Sequence, residues 1–438
     1  MTSPLPAPPP GRLEAFGRAL AALGLGAHAL FAPVSIAATQ IGLGAALLGI
    51  LLCALAGRRP RRTPLDLALA LFVVAALLST ALAREGPGAP MSFTLWRHAA
   101  GFWIATQALW LASDVRRAAA RTLALAAAGL IAASLVGLVQ YRTGFDLVHA
   151  LHLREQARLV AAPGVPGRFA AMGFFISRLT FGHCATVLVA LFAGAALFGE
   201  LASSVRALLA AAIATGLVAI LLTFDRAAWL GLLAAALALG AAGLAQRRAR
   251  ASLTDPPART PARRVALAAG ALALLCASAT LVPGVRARFA SGFDVQQNQD
   301  RVFLWSRALE IIRDHPLAGV GFGNYPRVCP RYYDRVDPAF PMRTWAHNSL
   351  LSLWAETGLA GLCALAFLIF AVARALRDRL RAQGLFTAGA LAAVCALAVI
   401  AQVHDVVYDS KVMYPLWLAL ALGLHPSLSL PGKAPGRA

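Results

Sequence analysis

The chain has 438 residues, of which 59% are hydrophobic and only 13% are charged, and it carries 40 Lys and Arg against 19 Asp and Glu. Because a soluble protein needs a largely polar exterior, this composition excludes a soluble globular fold of this length. The net charge of +21 would suit nucleic acid, but no soluble basic domain is present. We therefore expect membrane lipids as partners and no nucleic acid.

Apolar runs recur along the chain, and several exceed the roughly 20 residues that cross a bilayer. They lie at about 14–32, 34–56, 64–83, 93–113, 119–141, 179–200, 203–222, 227–246, 264–284, 349–373, 384–403 and 411–427. The pattern predicts an all-α polytopic protein, a single integral membrane domain over 1–438 with about 12 transmembrane helices. A Pro-rich tail at 1–13 is expected to be disordered.

Arginines in alternate loops predict the orientation of these helices. With twelve spans, the arginine groups all fall on the same side as both termini, at 58–62, 116–121, 206, 247–264 and 374–381. The positive-inside rule assigns this side to the cytoplasm. The opposite side then receives two long segments, 142–178 and a large loop at 285–348 between the ninth and tenth helices. In the loop, Trp305, Ala308, Ile311 and Ile312 have helical spacing, which predicts short helices.

The six cysteines give no sign of a disulfide or a metal. Five lie in or beside apolar runs and are typical small hydrophobic residues, namely Cys53, Cys184, Cys276, Cys363 and Cys395. Cys329 alone lies in a polar loop, and no CxxC or HExxH pattern occurs. We therefore expect no metal site and no cofactor.

Both long segments carry a net positive charge, although they lie on the side opposite the cytoplasm, where the positive-inside rule does not call for arginines. The first contains Arg168 and Arg178, and the second contains Arg301. Most of these arginines could contact lipid headgroups or form salt bridges. The functional alternative is a pocket for an anion, because a guanidinium group donates parallel hydrogen bonds to phosphate and stays charged when desolvated.

A charged pair, Asp225–Arg226, stands between two apolar runs in LLTFDRAAWLGLL with almost no loop around it. Charges at the membrane boundary are costly and usually functional. A mutually paired turn or a snorkelling arginine is one interpretation. The other is that Arg226 binds a lipid-linked phosphate and Asp225 orients it.

The third candidate is TWAHNSLLSLWAETGLAGL at 344–362. His347 suits proton transfer at neutral pH, although a lone histidine is more often structural. Asn348 could hold a backbone turn or a sugar hydroxyl, and Glu356 could pair with an arginine or fix helix packing. A short polar connection that includes His404 and Asp405 could line the site or form an ordinary hairpin.

Four stretches in order resemble the O-antigen ligase and polymerase superfamily, over roughly residues 160–365. GRFAAMGFFISRLTFGH (167–183) is similar to its Arg … Gly-Phe-Phe … Leu-Thr entry into a span. LLTFDRAAWLGLL is similar to its Ser-Arg-Gly-Ala-Trp turn, with Asp225 and Ala227 in place of Ser and Gly. QDRVFLWSRALEIIRDHPLAGVGFGNY (299–325) is similar to Glu-Arg-x-x-x-Trp … Asp-His-Pro-x-x-Gly-x-Gly, with Asp300 in place of Glu. AHNSLLSLWAETGLAGL (346–362) is similar to His-Asn … Glu-x-Gly-x-x-Gly.

The resemblance implies a GT-C-type glycosyltransferase of the bacterial inner membrane with a periplasmic active site. It implies undecaprenyl-diphosphate-linked O-antigen as donor and the lipid A–core as acceptor, in a metal-independent inverting transfer. Arg226 and Arg301 correspond to the family's essential arginines, which engage the diphosphate, and His347 to the proposed base. The expected substrate-binding residues are Arg168, Arg178, Asn348 and Asp225.

The same sequence features also fit other functions. Ligases, O-antigen polymerases and protein O-oligosaccharyltransferases share this plan, and the long loop, its Asp-His-Pro turn and the His-Asn motif favour the ligase. A secondary transporter or lipid flippase would also fit a dozen spans with membrane-embedded arginine. Against that class, the chain has no detectable repeat and its polar residues concentrate on one face.

Overall fold

A computed structural model describes residues 11–83, 92–151, 159–251, 283–290, 299–333 and 345–429. Within these ranges the chain is helical and forms no β-strand. Two isolated bridges join Ala161 to Phe169 and Gly384 to Ser429. The predicted all-α fold is confirmed.

The helices of the first part are α1 (Arg12–Phe31), α2 (Ile36–Leu55), α3 (Asp66–Leu82), α4 (Ser92–Leu111), α5 (Val115–Thr143), α6 (Leu147–Ala150), α7 (Arg178–Phe198), α8 (Ser203–Leu222) and α9 (Arg226–Ala251). Those of the second part are α10 (Pro283–Ala290), α11 (Gln299–Asp314), α12 (Tyr325–Val328), α13 (Ser349–Arg381), α14 (Thr387–Ile400) and α15 (Ser410–Leu424). Two 3₁₀ turns, Cys329–Tyr332 and Val406–Tyr408, complete the described elements.

Six of the described helices are long and apolar enough to cross a membrane, namely α2, α5, α7, α8, α9 up to Gln246, and α13. Four shorter apolar helices lie at Asp66–Leu82, Ala99–Leu111, Thr387–Ile400 and Ser410–Leu424. The chain is thus a multi-pass membrane protein, and the total of about 12 spans stays a prediction. The predicted ninth span, 264–284, lies outside the described residues except for its last two, which begin α10.

Small residues allow α1 and α2 to pack with their backbones in contact. A Cβ atom placed on Gly24 would lie 2.4 Å from the backbone nitrogen of Ala46. In a bilayer, where water does not drive helices together, such close backbone approach supplies the van der Waals contact. The two helices therefore form a tight antiparallel pair at the N-terminal edge of the bundle.

Helix α7 lies at the centre of the bundle. Of its 18-residue apolar window, 78% is buried inside the protein, and its buried residues occur all around the helix. A helix that is apolar on every side is typical of such a buried position. The one histidine of this helix, His183, is 3% exposed, so a polar group is brought into the protein interior.

The described helix ends gather at two ends of the bundle. At one end, where α7, α9 and α13 begin, the backbone N–H of Ser349 donates to Ala401 O at 2.8 Å. At the other end, Arg116 Nη1 lies 3.0 Å from Glu200 Oε2, where α5 and α8 begin. We call the first the site end. The second is the arginine-loop end, named after the loop at 57–62.

Helix α13 is kinked at Gly358, which has φ of 60° and ψ of −161°. The Gly-rich turn after α11 fits into this kink, and a Cβ on Gly358 would lie 2.3 Å from Leu317 O. Glu356, fully buried and two residues before Gly358, accepts from Tyr325 N at 3.0 Å and from the Tyr408 hydroxyl at 2.6 Å. Glu356 therefore fixes helix packing, one of its two predicted roles.

Candidate functional site

The turn between α8 and α9 holds the predicted Asp225–Arg226 pair. Phe224 is buried and has φ of 53°, a left-handed conformation that reverses the chain between the two helices. Asp225 Oδ1 accepts from the backbone N–H of Ala227 at 3.1 Å, the geometry of a helix N-cap. Asp225 is thus buried at the site end, and Arg226, the first residue of α9, is half-buried beside it.

Two histidines contact the carboxylate of Asp225. Its Oδ2 lies 2.8 Å from His183 Nε2, and its Oδ1 lies 3.9 Å from His404 Nε2. The centroids of the two imidazole rings are 4.7 Å apart. Since His183 lies on α7 and His404 lies between α14 and α15, three separate parts of the chain meet at this carboxylate.

Two arginines bind the carbonyl groups of the same turn. Arg178 Nη1 donates to Thr223 O at 2.6 Å and to Phe224 O at 3.0 Å, and Arg288 Nε donates to Phe224 O at 3.3 Å. The carbonyls at a helix C-terminus carry partial negative charge, so guanidinium groups stabilise them. Both Arg178 and Arg226 interact electrostatically with Arg288. The turn is therefore surrounded by positive charge, which favours an anionic ligand.

The start of α13 carries His347 and Asn348. Asn348 is the N-cap, and its Oδ1 accepts from the backbone N–H groups of Leu350 at 3.0 Å and Leu351 at 3.1 Å. His347 has φ of 50°, so the chain turns sharply just before the helix. Its imidazole packs edge-on against His404, with ring centroids 6.3 Å apart. The oxygen of Asn348 thus holds the helix start, the first of its two predicted roles.

Asp405 fixes the backbone around His347. Its carboxylate accepts from the Ser352 hydroxyl at 2.6 Å and from the backbone N–H groups of His347 and Asn348. A left-handed conformation at a residue other than glycine persists only where its surroundings impose it. Asp405 supplies that constraint, so it is a positioning residue for His347.

Arg301 lies near the start of α11 and donates through Nη1 to Val403 O. Its charge acts on both His404 and Asp405. Burial, and then the neighbouring His183 and Arg301, lower the pKa of His404 to about 3. His404 is therefore neutral at neutral pH.

Arg168 lies at the edge of this group. Its Nη1 donates to Arg142 O at 2.7 Å, and its guanidinium carbon is 5.8 Å from the ring centroid of Tyr141. The Tyr141 ring contacts Phe224, with centroids 6.5 Å apart. Among the contacts of the described residues, none joins Arg168 to His347 or Arg301. Arg168 is separated from the α8–α9 turn by one aromatic ring.

The donor atoms of His183, Asp225 and His404 lie within 4.8 Å of one another, a spacing that could hold a metal ion. The positive groups nearby argue against this use. Arg178 and Arg226 act electrostatically on Asp225, and Arg301 acts on His404, so a divalent cation would be repelled. The 2.8 Å contact between His183 Nε2 and Asp225 Oδ2 is an ion pair when His183 is protonated.

The structure thus brings together six of the seven predicted site residues. Arg178, Asp225 and Arg226 meet at the α8–α9 turn, Arg301 and His347 each interact with His404, and Asn348 caps α13 beside them; Arg168 stays apart.

Four residues of the site are not among the seven predicted site residues: His183, Arg288, and both His404 and Asp405 of one short connection. His183 ends the first motif stretch but lies inside an apolar run, where a histidine is ordinarily structural. Arg288 was one of many arginines in the large loop. Asp405 belongs to the short connection for which a hairpin was the favoured interpretation.

Residues 210–366 match the model of the protein family described as O-antigen ligase. The matched segment contains Asp225, Arg226, Arg301, His347 and Asn348, and three of the four motif stretches. No curated protein matches the chain. The predicted resemblance to the O-antigen ligase superfamily is confirmed. The match supports a membrane glycosyltransferase-like function of the O-antigen ligase and polymerase type, with polysaccharide and lipid substrates.

Proposed function

We propose that this protein is an O-antigen ligase of the bacterial inner membrane, which transfers O-antigen polysaccharide from undecaprenyl diphosphate to the lipid A–core at the periplasmic face. The observation that carries the proposal is the meeting of His347, Arg301 and the Asp225–Arg226 turn around His404 at one end of the bundle. This meeting supports a site in which His347 acts as the base and the arginines bind the charged part of the same substrate.

In the reaction, a hydroxyl of the acceptor sugar attacks the anomeric carbon of the donor. The new glycosidic bond forms as the bond from that carbon to the diphosphate oxygen breaks, and undecaprenyl diphosphate leaves. Single displacement inverts the anomeric centre. The proton of the hydroxyl passes to His347.

Arg226 and Arg301 stabilise the charge that develops on the leaving diphosphate, since preorganised cations act most strongly where water is excluded. Arg178 and Arg288 hold the α8–α9 turn that presents Arg226, because both donate to its carbonyl groups. Asp225 orients Arg226 and is itself held by His183. Asp405 holds the backbone of His347 in the left-handed conformation.

The first test uses purified protein with undecaprenyl-diphosphate-linked polymer and lipid A–core as substrates. His347→Gln is expected to lower kcat by about 10²–10⁴-fold, the contribution of a positioned general base. Arg226→Gln and Arg301→Gln are each expected to lower it by about 10²–10³-fold. Ligation is measured as transfer of labelled polymer to the core.

Matched controls substitute a histidine and an arginine outside the site. His149→Gln in α6 and Arg313→Gln, an exposed residue of α11, remove the same side chains outside the site and are expected to leave the rate unchanged. If folded His347→Gln and Arg226→Gln both retained full activity, the mechanism would be wrong.

A second test separates the ligase from the polymerase. Deleting the gene in its bacterial host should abolish the lipopolysaccharide ladder on a silver-stained gel while long polymer stays on the undecaprenyl carrier. A lipid A–core that carries a single repeat unit would instead identify a polymerase. An unchanged ladder would contradict both and favour protein glycosylation or transport.

A further inference from the structure

A positively charged cavity lies at the arginine-loop end, opposite the proposed active site. It has a volume of about 370 Å³ and is lined by four arginines, Arg18 of α1 and Arg58, Arg59 and Arg61 of the loop after α2. This volume lies within the range of small-molecule binding pockets. None of these residues takes part in the proposed reaction.

Side-chain contacts hold the loop in place over the helix ends. Gln107 of α4 binds the backbone of Arg61 on both sides, accepting from its N–H at 3.0 Å and donating to its carbonyl at 2.7 Å. Glu14 of α1 accepts from Arg18 and from Arg58 Nε, the latter at 2.8 Å. The positive-inside rule requires only the charges, so it does not explain a loop that is anchored in this way.

The charge of the cavity is only partly neutralised. Glu14 pairs with Arg18 and Arg58, whereas within the described residues no carboxylate lies in salt-bridge range of Arg59 or Arg61. The guanidinium carbon of Arg61 lies 5.8 Å from the ring centroid of Trp110, which faces the same cavity. Arg59 and Arg61 are exposed and line the same cavity, which favours a phosphate because guanidinium groups donate parallel hydrogen bonds to it.

One wall of the cavity is apolar. Ile50 of α2 and both Trp110 and Leu111 of α4 line it, and the buried indole N–H of Trp110 has no acceptor among the described residues. Tryptophan at a helix end is typical of the membrane–water interface. A ligand that fits both walls has a charged phosphate and an attached hydrocarbon chain.

We propose that this cavity binds the phosphate of an anionic phospholipid from the leaflet at the arginine-loop end, with its acyl chain against Ile50 and Leu111. Basic pockets between transmembrane helices bind such headgroups elsewhere. The bound lipid would tie α1, the loop after α2 and the end of α4 together.

The test measures binding to the purified full-length protein in detergent, by native mass spectrometry and by thermal shift. The probes are dioctanoyl phosphatidylglycerol, dioctanoyl phosphatidylcholine and inorganic phosphate. We expect a phosphatidylglycerol adduct and a raised Tm, with no comparable effect of phosphatidylcholine. Arg59→Gln/Arg61→Gln should weaken phosphatidylglycerol binding about tenfold or more, since each arginine adds to headgroup affinity.

The matched control is Arg117→Gln/Arg121→Gln, which removes two exposed arginines of α5 at the same end but outside the cavity. It should bind phosphatidylglycerol as the wild type does. Equal loss in both double variants, or equal binding of phosphatidylcholine, would overturn the proposal. Inorganic phosphate that matched phosphatidylglycerol would assign the cavity to free phosphate instead. If Arg59→Gln/Arg61→Gln does not yield folded protein, Arg59→Gln alone serves.

Discussion

Asp225 shows how one substitution in a motif changes the chemistry of a turn. The motif that this stretch resembles has a serine at that position, whereas here a carboxylate is 4% exposed and 2.8 Å from His183 Nε2. A buried carboxylate is costly unless it is paired and hydrogen-bonded. His183 Nε2 contacts this carboxylate and the N–H of Ala227 donates to it, so the substituted residue has polar neighbours in the protein interior.

Asp405 allows a prediction for pH. Burial raises the pKa of Asp405 from 3.8 to about 6, although hydrogen bonds from Ser352 and two backbone N–H groups oppose the rise. The folded protein disfavours the ionised form of Asp405, so ionisation lowers the free energy of unfolding. This loss is absent below pH 3.8, grows between pH 3.8 and about 6, and stays constant above that pH. Asp405→Asn should therefore gain apparent Tm relative to the wild type as pH rises from 4.5 to 7.

Melting curves of both proteins in detergent at several pH values check this. Asp378→Asn, which alters an exposed carboxylate at the other end, is the control. Activity supplies a second measurement, because Asp405→Asn should also lower kcat through His347. A Tm difference for Asp405→Asn that did not change with pH would contradict the raised pKa.

At the scale of elements, the Gly-rich segment after α11 is a packing motif. Its turn inserts at the kink of α13, and Leu359 N donates to Pro316 O at 2.9 Å across the junction. The buried carboxylate of Glu356 binds Tyr325 N and the Tyr408 hydroxyl. These contacts therefore join the large loop to α13, the helix that begins just after His347.

Gly358→Ala should disrupt this junction. A Cβ at this position would meet Leu317 O at 2.3 Å, and φ of 60° is unfavourable for alanine. We expect a loss of at least about 1–3 kcal/mol in stability, which would reduce the yield of monodisperse protein and lower the apparent Tm.

Gly240→Ala in α9 is the control, because a Cβ there meets nothing within 4 Å. Alanine in the middle of a helix should be neutral or slightly stabilising. Equal melting temperatures for Gly358→Ala and the wild type would show that the kink does not need glycine.

At the scale of the whole molecule, the two ends differ in what their arginines do. Arginines bind backbone carbonyl groups at both ends, and at the arginine-loop end Arg379 donates to His425 O and Arg116 donates to Ser429 O. At the site end, Arg178, Arg288 and Arg301 bind backbone carbonyls of turns. The difference is that Arg178 and Arg226 at the site end also act electrostatically on the buried Asp225, and Arg301 acts on His404.

Orientation can be tested with single cysteines in a variant that lacks the six native ones. Thr143→Cys lies at the exposed end of α5 on the site end, and Arg62→Cys lies in the loop at the other end. A membrane-impermeant maleimide should label the first in spheroplasts and the second only after lysis. The reverse pattern would place the site end in the cytoplasm and contradict the proposed reaction.

The sequence by itself determined the all-α membrane fold, the arginine-rich loops and the motif stretches that contain Arg226, Arg301 and His347. These features are local, because a span or a motif is written in neighbouring residues. It also placed Asn348 before a helix, where capping is a local property.

Only the tertiary structure decided which residues meet. His183 and Asp225 are distant in sequence, and so are Asp405 and the backbone of His347, yet each pair is in contact. The packing of α7 against its neighbours brings the first pair together, and the return of α14 to the start of α13 brings the second. Such contacts depend on helix packing across the bundle, and no spacing along one segment encodes them.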